Sequence, residues 1–190
     1  MTTSARPFTR CLAFLSFLAA ASALGAPRAG WAHDNLIFMD PAVKTVSTAA
    51  ESLFTVDVAR SEGDSVAGFE VEVAFDNTVV QLLAVTPGAW VTTPGFPYFF
   101  YDHTTAGTDR IHFAEAFLGQ LASDGAGPLA TCHFRALREG VSPLAFTLVK
   151  ARSALNAPVD FSTSTGDRIV IESAVPVETV TLGRIKALYR

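Results

Sequence analysis

Cysteine is almost missing from this chain. The sequence holds two, Cys11 and Cys132, and the first lies in a segment expected to be removed. A lone remaining thiol cannot close a disulfide within the chain, so stability has to come from a packed core. Charge is also sparse, at 17% of residues, and no basic cluster occurs. That excludes a nucleic-acid surface, which needs grouped Lys and Arg. No Gly-x-Ser-x-Gly elbow is present, no D-x-[DN]-x-[DN]-G calcium loop, and no helical stripe ahead of the last residues. These absences argue against nucleophilic catalysis, a resident calcium and an α/β fold.

What is present begins with a leader pattern. Arg6 and Arg10 precede the apolar run Cys11–Leu24, which is too short to span a bilayer as a helix. Small residues allow cleavage after Ala23 or after Ala32, and Ala32 is preferred because it leaves no GAPRAGWA stub. The expectation is a signal peptide over residues 1–32 and a secreted or cell-surface protein with no membrane span. Removing the leader takes away three arginines and no acid, leaving 11 basic against 18 acidic residues, a net charge near −7.

Period two dominates the remainder. Phe69, Val71, Val73 and Phe75 alternate with Glu70, Glu72 and Ala74. Runs at 36–39, 53–58, 79–85, 97–103, 110–117, 129–137, 144–149 and 168–171 also read as strands, separated by Gly, Pro, Asp, Asn and Ser. About nine short strands with turn signals between them mean an all-β sandwich or barrel rather than a βαβ fold, and a sandwich is expected. The domain is expected over 33–172, followed by a spacer and a short basic, partly apolar tail over 173–190.

Three stretches carry a family resemblance. Val66–Leu82 (VAGFEVEVAFDNTVVQL), Gly127–Ala136 and Gly140–Leu148 together with Gly166–Ile171 resemble, in order, cohesin domains, which bind dockerins in cellulosomes and other bacterial surface assemblies. The shared positions are inward apolar residues and turn glycines. The resemblance implies a nine-stranded jelly-roll sandwich whose partner docks on one sheet face, built here from Val66–Phe75, Pro97–His103, Arg110–Phe117 and Leu144–Val149. It also implies a non-catalytic module, monomeric alone, with any calcium carried by the dockerin. The family's outward acidic residue falls on Glu70 and the Glu of its Phe-Ala-Glu segment on Glu115. Its outward Asn is replaced by Gly68.

Candidate residues follow from this reading. The expected partner face comprises Glu70, Glu72, Tyr98, Phe100 and Glu115. The alternative is a carbohydrate-binding module that stacks sugars on exposed aromatics, Trp90, Tyr98 and Tyr101. A mixed apolar and carboxylate face favours protein, and coplanar exposed aromatics favour sugar. Glu70, Glu72 and Glu115 as a hydrolytic carboxylate set are outweighed by outward solvated charges. His33, His103, His112 and His133 as copper ligands are outweighed by surface histidines. No metal or cofactor is expected on the chain, and Cys132 is expected to be a buried small hydrophobe.

Overall fold

The computed structural model describes residues 35–47 and 52–173. The leader and nearly all of the tail lie outside them. Thirteen strands and one helical turn follow in chain order: β1 Leu36–Asp40, β2 Val43–Ser47, β3 Leu53–Arg60, β4 Gly68–Ala74, β5 Val80–Pro87, α1 Ala89–Thr92, β6 Tyr98–Asp102, β7 Arg110–Phe117, β8 Gly127–Ala136, β9 Gly140–Pro143, β10 Ala145–Arg152, β11 Pro158–Val159, β12 Ser162–Thr163 and β13 Arg168–Glu172.

All nine strands read from the sequence are there, and the count of nine was low. Strand β2 reads Val-Lys-Thr-Val-Ser, without apolar alternation, and β9 is four residues ending in Pro143, so neither gives a periodic signal. Strands β11 and β12 are two residues each. The turn at α1 buries Trp90 and Val91.

The strands form two five-stranded sheets, β12-β1-β3-β8-β5 and β11-β10-β4-β7-β6, and a smaller sheet β2-β13-β9. Alternation explains the layering. In β4, Phe69, Val71 and Val73 are buried while Glu70, Glu72 and Ala74 are half-buried; in β8, Ala130, Cys132 and Phe134 are buried between half-buried Thr131, His133 and Arg135. The inward residues of both large sheets belong to one core cluster. Phe134 of β8 meets Phe75, at the end of β4, edge to face at 5.6 Å. This is a β-sandwich whose two inner faces share one hydrophobic interior. Cys132 is free and buried in it, and burial pushes its thiol far above the ordinary range.

Candidate functional site

The outer face of the sheet β11-β10-β4-β7-β6 collects the chemistry. Register decides which side chains meet there. Glu70 lies opposite Ala114 of β7 and Lys150 of β10; Glu72 lies opposite His112 and Leu148. Phe99 and Tyr101 of β6 lie opposite Ala116 and Ala114 and so share that face.

Two carboxylates anchor the polar half. Glu70 accepts from Lys150 Nζ at 3.0 Å, and its other oxygen is 3.2 Å from His112 Nε2. The Lys150 hydrogen bond, with a smaller contribution from His112, holds its carboxyl below the usual range. Glu72 accepts from Thr147 Oγ1 at 2.6 Å and pairs with Arg110, and these bonds lower its carboxyl as well. Both are therefore ionised and held in place rather than free as an acid–base pair.

The apolar half is aromatic. Phe99 and Tyr101 are 48% and 51% exposed, and their rings are parallel to within 4° at 6.2 Å. Tyr101 meets His103 edge-on at 4.2 Å, and His103 stacks on His112 at 4.8 Å. A ladder of rings thus runs from the sheet edge to Glu70. Between Phe99 and the basic side chains of Lys150 and Arg152 lies an open depression of about 530 Å³. Its lining includes the small residues Gly68, Ala114 and Ala116. A Cβ at Gly68 would stand 2.7 Å from the Glu115 carbonyl oxygen and 2.8 Å from the Ala116 Cβ. The family's outward Asn therefore has no room here while β7 keeps its place.

Four of the expected residues need correction. Glu115 points the other way: it shares the inward side of β7 with Ile111, Phe113 and Phe117 and is 2% exposed. Neither of its carboxylate oxygens has a hydrogen-bond partner, and burial pushes its carboxyl well above the usual range. Phe100 also faces inward, opposite Glu115, stacking on Phe113 at 5.8 Å. Tyr98 shares that parity, opposite Phe117, but is exposed at the edge of the sheet. Trp90 is buried in the core against Phe69 and Phe117, so it is no sugar platform. Glu70, Glu72 and Tyr101 stand on the outer face. The residue missed is Phe99, whose parity with Tyr101 was visible but whose side of the sheet was not.

The histidines divide likewise. His103 and His112 meet on the outer face, His133 lies on β8 of the other sheet, and His33 is outside the described residues. Among the described residues no three His, Cys, Asp or Glu side chains cluster in a way that could hold a metal ion. No helix among them is long and apolar enough to cross a membrane.

The family model of the cohesin domain matches residues 40–170, well over half of the chain. The chain belongs to the cohesin family. Its fold agrees with cohesins of known structure. A non-cellulosomal cohesin from the archaeon Archaeoglobus fulgidus is similar at 15% identity and a TM-score of 0.59, covering 76% of this chain and 94% of that one. A type II cohesin module from the adaptor scaffoldin of Acetivibrio cellulolyticus is 12% identical at a TM-score of 0.61, covering 80% and 97%. A type I cohesin–dockerin complex from Clostridium thermocellum is matched at 14% identity and 0.59, covering 75% and 96%. At such identities the likeness speaks for the cohesin fold alone. No curated protein sequence matches this cohesin closely enough to add a relative.

Proposed function

We propose that this cohesin is a secreted, non-catalytic docking module that binds a dockerin-type partner on the outer face of the sheet β11-β10-β4-β7-β6. The proposal includes a leader over residues 1–32, an extracellular or cell-surface assembly tied to polysaccharide breakdown, and calcium carried by the partner. The observation that carries it is the composition of that face. Exposed rings at Phe99 and Tyr101 adjoin a shallow depression lined by glycine and alanine and by the charges of Glu70, Lys150 and Arg152, with the Glu72–Arg110 pair further along the same face. Aromatic anchors beside fixed polar groups give a protein interface its affinity and its orientation. A sugar platform has lost Trp90 to the core, and the carboxylates beside Tyr101 suit a protein partner better.

The test is calorimetric titration against a panel of calcium-loaded dockerins. Tyr101→Ala and Glu70→Ala are each expected to weaken the interaction about tenfold or more. Both should leave the melting temperature nearly unchanged, since exposed ion pairs contribute only ~0–1 kcal/mol. Leu83→Ala, on the other large sheet, should bind like the parent. Loss at Leu83 with full affinity at Glu70 and Tyr101 would reverse the assignment of the face.

A further inference from the structure

An edge strand presents a row of unpaired N–H and C=O groups, and folded proteins usually blunt it with short length, Lys, Pro or a bulge. Five of the six sheet edges among the described strands follow this rule. β11 and β12 are two residues long, β5 carries an irregularity between Leu82 and Ala84 and ends in Pro87, β9 ends in Pro143, and β2 carries Lys44. β6, five residues long, carries no Lys, no Pro within it and no bulge. It is the last strand of its sheet, pairs with β7 in unbroken register, and reads Tyr-Phe-Phe-Tyr-Asp.

The phase of its ladder shows what the open side offers. The Leu118 N–H donates to the Pro97 carbonyl and the His103 N–H to the His112 carbonyl. Odd-numbered residues of β6 therefore exchange bonds with β7, and the N–H and C=O groups of Tyr98, Phe100 and Asp102 point outward along the sheet.

We propose that β6 pairs antiparallel with β6 of a second copy of this chain, about a twofold axis through Phe100. This register is self-complementary. Groups free to bond at 98, 100 and 102 meet groups free to bond at 102, 100 and 98. Phe99 of one copy then faces Tyr101 of the other at non-hydrogen-bonded positions, where side chains come closest. Four rings that are half-exposed in the single chain cover one another. The two Asp102 carboxylates fall at opposite ends of the pair, so no like charges oppose across it. A closed isologous contact of this kind stops at two copies. Because the strand is short, the dimer is weak and dissociates on dilution. It departs from the single-chain state that the family resemblance implies.

The experiment is sedimentation velocity on the protein alone across a dilution series, with circular dichroism as the check on folding. The parent should pass from monomer to dimer as concentration rises. Phe99→Lys, at an outward position that needs no repacking, should remain monomeric throughout. Phe99→Lys combined with Tyr101→Glu should dimerise again, because each Lys then faces a Glu across the twofold. A parent that stays monomeric, association untouched by Phe99→Lys, or a double variant that fails to recover would each overturn the proposal. No partner is used, so the outcome is independent of the docking assignment.

Discussion

Arg60 and Glu115 are both almost fully buried, at 1% and 2% exposure, and the protein treats them in opposite ways. Arg60, at the end of β3, is paired everywhere. Its Nε donates to the Ser61 carbonyl at 3.0 Å, one terminal nitrogen to Ser123 at 3.2 Å, and the other to Asp64 at 3.0 Å and Asp124 at 3.4 Å. The rings of Phe69, Trp90 and Phe161 surround the guanidinium at 5.3–5.7 Å. Burial lowers its pKa, while Asp124 and Asp64 pull the other way; a guanidinium stays charged at neutral pH regardless. Glu115 has no partner at all. A buried charge is tolerable when it satisfies other groups, and costly when it does not. Arg60 is a clasp that ties the 61–64 and 123–124 segments to the core, whereas Glu115 is a weak point beneath the proposed docking face.

Breaking the clasp should have the largest effect. Arg60→Ala removes a donor from four carbonyls, of which Ser123 and Asp124 keep the Val66 and Gly63 N–H groups, and opens a cavity among three rings, so a loss of about 3–5 kcal/mol is expected in urea or thermal unfolding. If the variant melts within a degree or two of the parent, the clasp is not a stabilising element.

Removing the weak point should act in the other direction. Glu115→Leu is expected to stabilise the protein by about 1–3 kcal/mol at neutral pH. The sign with pH follows from linkage. The folded carboxyl titrates above the unfolded one, so above the unfolded value the unfolded chain holds fewer protons, and stability falls as pH rises towards the folded value. Glu70 and Glu72 have the opposite sign, because their lowered carboxyls contribute stability that is lost as pH falls. The gap between Glu115→Leu and the parent should therefore widen above the ordinary carboxylate range, at up to about 1.4 kcal/mol per pH unit. A gap independent of pH would mean that Glu115 is paired or hydrated in solution.

The same pair of residues shows how far the sequence could be read. Alternation in β4 placed Glu70 and Glu72 outward because Phe69, Val71 and Val73 leave one consistent apolar side. The parity of Glu115 was equally visible, since it matches Ile111, Phe113 and Phe117; an acid aligned by family pattern to an outward position outweighed three apolar neighbours. β6 was ambiguous for a different reason. Aromatic residues occupy both sides of it, so period two predicts the alternation without saying which side is the core. Only pairing with β7 decides that. Arg60 carried no local signal, because its partners are backbone carbonyls and rings brought together by tertiary structure. The pairing of His103 with His112 across β6 and β7 is likewise a product of register and not of spacing.

The central claim is that one face of one sheet receives the partner. Hydrogen–deuterium exchange with and without a bound, calcium-loaded dockerin tests it most directly. The account predicts slowed exchange confined to peptides covering 68–74, 98–102, 110–117 and 145–152, with the 53–60 and 80–87 strands of the other large sheet unchanged. Protection centred on 53–60 and 80–87 instead would contradict it.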